Sequence, residues 1–120
     1  MNLNVIITVM IMAVTSFVSG QSKADAAEMS KYQTEKMEEV LKLDENQVTE
    51  ITPINLKYSE KAVAVMESDE GMFSKMGSMK KMQHSKEEEL EKILTADQMK
   101  KYMTDLKPEF RKYFKSQFMK

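Results

Sequence analysis

Apolar residues recur at intervals of three and four along most of the chain, from about residue 26 to residue 118. This spacing places apolar side chains on one face of an α-helix, and strand-like alternation does not extend beyond a few positions. The pattern predicts four helices, over residues 26–42, 45–67, 72–93 and 96–118. A polar stretch with one glycine, residues 68–71, is the predicted turn between the second and third helices.

Two prolines fall inside this helical pattern. Pro53 lies in the second predicted helix and Pro108 in the fourth. Because proline lacks an N–H and its ring clashes with the preceding turn, we expect a kink or a restart at each. Thr52 is the candidate cap of a restarted helix, with Pro53 at its first position.

The first 22 residues carry no charged side chain, and residues 5–18 form an apolar run broken only by Thr8, Thr15 and Ser16. A membrane-spanning helix needs about 20 apolar residues, so this run fits the core of a secretory signal better. Small residues at 18–20 suit a signal peptidase, and residues 24–26 offer a later site. We therefore predict a signal peptide over 1–20, a helical domain over 21–120, and an exported protein without stable membrane insertion after cleavage. A retained anchor is the alternative, since the first four residues contain no Lys or Arg.

The composition excludes several classes of site. The 120 residues include 13 Met and one His but no Cys, so disulfide scaffolds and cysteine-based metal or redox sites are impossible. The net charge of -1 gives no indication of a nucleic-acid partner. The charge is uneven, however: residues 23–70 carry 6 Lys against 12 acids, whereas residues 99–120 carry 7 Lys or Arg against 2 acids.

Two similar segments stand at the starts of the second and fourth predicted helices. In the first, Asp44 is a helix cap and Gln47 follows three residues later; in the second, Thr95 and Gln98 take the same positions. Each pair can form a capping box, in which the cap side chain accepts from the third N–H and the glutamine reaches back to the cap N–H. The residues of this repeated capping motif are Leu43, Asp44, Gln47, Leu94, Thr95 and Gln98.

With a secretory signal, many methionines and no cysteine, these segments make the chain resemble the Spy/CpxP family of LTxxQ-motif periplasmic proteins. Residues 94–98 match the motif fully, and the first copy has Asp44 in place of Thr. The resemblance implies an all-α fold, a long bent antiparallel helical hairpin of about four helices that forms a thin, cradle-like homodimer. It also implies that the exported protein is periplasmic. Members of the family include an ATP-independent chaperone, a partner of an envelope-stress sensor, and relatives that bind heavy metals.

The third predicted helix is rich in methionine. Met72, Met76 and Met79 share one face, whereas Met82 and His84 are rotated away from it. We interpret these methionines first as adaptable core packing; an exposed client-binding surface and a soft-metal site for Cu(I) or Ag(I) are the alternatives. His84 is the only imidazole, which makes a zinc site within one chain improbable.

The C-terminal segment interleaves aromatic and basic residues. It is interpreted as a core or dimer seam with a basic rim, with a client-binding surface or a membrane-surface helix as alternatives. The candidate client-binding residues are Met72, Phe73, Met76, Met79, Tyr102, Phe110, Arg111, Lys112 and Phe114.

No feature of the sequence indicates catalysis or a cofactor. It offers no nucleophile beside a base, no Gly-rich phosphate loop and no paired metal ligands. We expect an exported, ATP-independent, chaperone-like stress protein that binds unfolded or partly folded proteins. The alternatives are a periplasmic metal-binding or metal-responsive protein and a regulatory partner of a sensor's periplasmic domain.

Overall fold

The structure is a computed structural model that describes residues 21–118, with side chains from residue 25. Helices make up nearly all of this range. No strand occurs in this range, and the four predicted helices are confirmed. The predicted signal peptide over 1–20 lies outside the described residues. The elements are α1 (Gln21–Leu41), α2 (Glu45–Glu67), α3 (Met72–Glu91), and a last helix made of α4 (Ala96–Lys101), a π-helical turn (Tyr102–Leu106) and α5 (Lys107–Phe118).

The turn between α1 and α2 contains one residue with a left-handed backbone conformation. Lys42 has φ 57°, and the Leu43 N–H donates to the Glu38 carbonyl over 3.3 Å. This is the backbone pattern of a Schellman-type helix end, in which the left-handed position usually belongs to glycine. It reverses the chain within three residues and buries the Leu43 side chain in the core.

The two prolines are accommodated differently from the prediction. Helix α2 runs unbroken through Pro53, so the restart capped by Thr52 is wrong. The Thr52 hydroxyl donates instead to the Val48 carbonyl within the helix, over 2.6 Å. Pro53 and Thr49, whose carbonyl loses its usual donor, are both exposed, so water can replace the missing bond.

Before Pro108 the helix widens rather than stops. The Lys107 N–H donates to the Tyr102 carbonyl, five residues back, as a π-helical turn requires. Pro108 has no N–H to give to Thr104, and the wider turn immediately before it allows the helix to continue. Tyr102 and Leu106 point from this turn into the core.

Consecutive long helices pack antiparallel. Near the first turn, Asn55 of α2 meets Met37 of α1, and further along, Val63 meets Ala26 and Met29. Between α2 and α3, the Glu89 carboxylate accepts from the Lys57 ammonium over 2.7 Å and from the Tyr58 hydroxyl. These hydrogen bonds lower the pKa of Glu89, while burial and the carboxylate raise that of Tyr58 to about 12.

The last helix returns to α1. The Tyr32 hydroxyl donates to Glu109 over 2.9 Å, and the Tyr32 ring stacks on Tyr113 with 4.2 Å between centroids. The main core lies between these elements, and a smaller cluster joins Ala26, Met29 and Val63 to α5. The main core consists of Met37, Leu41, Leu43, Ile51, Leu90, Leu94, Tyr102, Leu106 and Phe110.

The molecule is flat, with extents of 52 × 38 × 22 Å. Its radius of gyration of 15.8 Å exceeds the roughly 13 Å of a compact domain of similar length. Within residues 21–118, no helix combines the length and the apolar content needed to cross a bilayer.

Candidate binding surface

One face of α3 passes from the core into solvent along the length of the helix. We call this face the α3 stripe. At its C-terminal end Leu90 is fully buried and Lys86 nearly so, Met79 is half-buried, and at its N-terminal end Met76 and Met72 are 60% and 54% exposed. The members of the stripe, spaced by three or four residues, are Met72, Met76, Met79, Gln83, Lys86 and Leu90.

The exposure of the N-terminal half follows from the path of the last helix. The last helix contacts the C-terminal half of α3, where Gln83 donates to the Tyr102 hydroxyl over 3.4 Å and Lys107 pairs with Glu87 at 2.6 Å. Beyond those contacts it continues to α1 rather than along α3. The first turns of α3 are therefore left without a covering helix on this face.

Three neighbouring apolar side chains project from these turns, and we call them the exposed patch: Met72, Phe73 and Met76. Phe73 is 92% exposed, the highest value of any large apolar residue in the described part of the chain. The interpretation of this segment as core is wrong for Met72 and Met76, because a helical stripe shows which face is apolar but not whether a neighbour covers it. Large apolar side chains that are exposed side by side, rather than singly, are candidates for a binding site.

Acidic residues precede the exposed patch. Glu67, Asp69 and Glu70 are exposed in and around the turn between α2 and α3, and Glu70 accepts from the Ser74 hydroxyl over 2.9 Å. Lys75, the nearest basic residue along the chain, is partly buried, and its ammonium donates to the Met66 carbonyl over 2.9 Å. The N-terminal border of the patch is consequently negative.

The other predicted client-binding residues do not form one surface with this patch. Tyr102 and Phe110 are 1% and 7% exposed and belong to the main core, so a client cannot contact them while the helices stay packed. Phe114 is half-buried against the smaller cluster. Arg111 and Lys112 are exposed on α5, which carries the basic part of the chain.

His84 lies outside the α3 stripe. Its ring sits 3.5 Å from the Glu88 carboxylate, and both side chains are largely exposed. Among residues 21–118, no three His, Asp or Glu side chains converge as metal ligands would.

A buried polar group lies deeper on the same stripe. The Lys86 ammonium is enclosed between α1 and α3 and donates to the Gln33 amide oxygen over 2.7 Å. Burial lowers its pKa from 10.5 to about 8, against a smaller opposing effect of Glu87. Asn55 and Ser59 of α2 are also buried, and the Asn55 Oδ1 and Ser59 Oγ atoms have no partner. The sequence pattern did not predict that Lys86 is buried, although it placed Gln33 and Asn55 on the apolar faces of their helices.

The two capping motifs meet at one end of the molecule. The Asp44 and Thr95 side chains accept from the N–H groups of Gln47 and Gln98, over 2.8 Å and 3.1 Å. Each glutamine side chain accepts from the N–H of its own cap residue. Each also donates to a carbonyl in the opposite turn, Gln47 to Ile93 and Gln98 to Leu41. The motif residues thus join the two turns as well as starting their helices.

The chain was compared with known proteins. A family model described as a domain of unknown function, DUF4890, matches residues 18–102. Since this match spans well over half of the chain, the protein belongs to the DUF4890 family. The matched region contains both capping motifs and the exposed patch. Comparisons with curated proteins and with solved structures found no match.

Proposed function

We propose that this protein is an exported, ATP-independent, chaperone-like protein that binds apolar segments of unfolded or partly folded proteins through the exposed patch. The observation that carries the proposal is the exposure of Phe73 beside Met72 and Met76, two members of the α3 stripe, which continues into the core. Methionine is flexible and polarizable, so its side chains adapt to clients of different shape. Binding of this kind needs apolar contact and no nucleotide.

The resemblance to the Spy/CpxP family supports the same activity. The repeated motif, the all-α fold and the flat shape agree with that family, whose members include an ATP-independent chaperone. A cradle-like homodimer, built from the long hairpin that the resemblance implies, belongs to the proposal. Sedimentation equilibrium tests it: a dimer is expected, and a monomer at all concentrations contradicts it.

Export is the second part of the proposal. Residues 1–20 are proposed as a signal peptide that directs the chain to the periplasm. Mass spectrometry of the protein recovered from a periplasmic fraction should show Gln21 as the first residue. Recovery of the full-length chain in a membrane fraction would favour a retained anchor instead.

Aggregation of a chemically reduced model client tests the binding activity. The protein should suppress light scattering without ATP, and replacement of Met72, Phe73 and Met76 together by Ser should remove most of this effect. A matched control replaces Leu56 and Met103 by Ser, since these apolar residues are also exposed but lie elsewhere. The proposal fails if wild type gives no suppression, or if both variants lose equal activity while circular dichroism shows both folded.

A further inference from the structure

The exposed part of the α3 stripe has an unusual chemical composition. Residues 72–89 contain no Leu, Ile or Val, and every aliphatic position in this segment is Met. Leucine has similar volume and helix propensity and would supply comparable apolar surface, although its side chain is less flexible. What methionine adds at these positions is a thioether sulfur.

Three of these sulfurs belong to one face of the helix. Met72, Met76 and Met79 are separated by four and three residues, and side chains at such spacing are neighbours about 5–6 Å apart at Cβ. Their flexible side chains can close the remaining distance around a single ion. Met72 and Met76 are mostly exposed and Met79 is half-buried, so the ion has access from solvent.

We propose that Met72, Met76 and Met79 bind a soft monovalent cation, with Cu(I) as its biological form, through their thioether sulfurs. Thioethers are soft, neutral ligands that select Cu(I) over Mg²⁺, Ca²⁺ and Zn²⁺, and Cu(I) accepts low coordination numbers. Binding at these sulfurs releases no proton and requires no electron transfer. The acidic residues that precede the helix, Glu67, Asp69 and Glu70, favour approach of a cation.

The proposed metal site shares Met72 and Met76 with the exposed patch, but metal binding does not depend on client binding, and one set of variants separates the two. Replacing all three methionines by Leu preserves apolar surface but removes every sulfur from the site. Metal binding should be lost, whereas suppression of client aggregation should be reduced only in part, because Phe73 and the apolar surface are kept. Replacing the same three residues by Ser should remove metal binding and reduce the suppression further, because two of the three side chains of the exposed patch are then lost.

The direct test is competition for Cu(I), supplied without oxygen as a complex with a chromophoric chelator. Wild-type protein should withdraw one equivalent of Cu(I), and the triple Leu variant should compete at least about tenfold more weakly. Met103→Leu and His84→Gln serve as controls and should behave as wild type, since neither residue lies on the α3 stripe.

Three results would overturn the proposal. In the first, wild type fails to compete with the chelator; in the second, the triple Leu variant competes as strongly as wild type. In the third, His84→Gln loses binding, which would assign the ion to the imidazole. X-ray absorption at the copper edge gives a separate readout: sulfur scatterers alone are expected, and a first shell of nitrogen or oxygen contradicts the site.

Discussion

Gln47 and Gln98 lie 51 positions apart in the chain and hydrogen-bond to each other through their side-chain amides. The Gln47 Nε2 atom donates to Gln98 Oε1 over 2.7 Å, and Gln98 Nε2 donates to Gln47 Oε1 over 3.3 Å. Each amide also donates to the carbonyl of the opposite turn and accepts from the N–H of its own helix cap. Both amides therefore use both donors and accept two bonds, which is their full capacity.

The first prediction concerns this pair. Gln47→Ala and Gln98→Ala should each lower the free energy of unfolding by about 1–3 kcal/mol, because each leaves partly buried partners unpaired. The double variant should lose less than the sum, since the second replacement has no mutual bond left to remove. Denaturant unfolding measures all three values. Asn46→Ala, at a neighbouring exposed position, should change stability little, and strictly additive losses would contradict the coupling.

The second prediction concerns the buried Lys86. Its pKa is about 8 in the folded protein against an ordinary 10.5, so between these values the unfolded chain binds more protons. Lys86 should therefore contribute a rise in stability of about 2 kcal/mol between pH 8 and pH 10. Tyr32, Tyr58 and Tyr102 act in the opposite direction as the pH approaches 10 and above, because their pKa values are raised to about 12 in the folded protein.

Lys86→Met is the control for this effect, since it keeps most of the side-chain volume without the charge. Denaturant unfolding followed across the same pH range should show wild type gaining about 2 kcal/mol of stability relative to the variant, in which only the opposing effect of the tyrosines remains. Equal pH dependence in the two proteins would mean that Lys86 is charged in the folded state.

The third prediction concerns the left-handed residue between α1 and α2. Lys42 has φ 57°, where a side chain with Cβ costs about 1 kcal/mol relative to glycine. Lys42→Gly should stabilise the protein by about that amount and raise Tm by about 4–8 °C. Lys42→Ala retains Cβ and should give no such gain. A gain in the alanine variant as large as that in the glycine variant would show that the backbone is not the cause.

The fourth prediction concerns client charge. Glu67, Asp69 and Glu70 border the exposed patch, so apolar peptides flanked by Lys should bind more tightly than the same peptides flanked by Glu. Fluorescence anisotropy at low salt should show the difference, and added salt should reduce it. Replacing the three acids by their amides should equalise the two peptides. A stronger interaction with Glu-flanked peptides would instead indicate the basic face of α5.

The sequence predicted where the helices begin and end better than it predicted which of their faces are covered by other helices. Apolar spacing, the capping motif before α2 and the polar turn before α3 were sufficient for the bounds of these two helices to within two residues, because these signals are local. The coverage of Met72 and Met76 was not predictable, since it depends on where the last helix crosses the molecule. Lys86 was missed for a related reason: a lysine at a helical core position is buried only when a partner such as Gln33 lies opposite.

The pairing of Gln47 with Gln98 has a consequence for how the molecule moves. It joins two turns at one end, whereas the opposite end, with the α2–α3 turn and the exposed patch, is held by the smaller cluster of Ala26, Met29 and Val63 with α5. We therefore expect local opening to begin at the patch end, where helices can separate while the glutamine pair stays intact. Amide hydrogens should exchange slowest beside the paired turns and progressively faster toward Met72, which would make the proposed binding surface also the region most able to change shape.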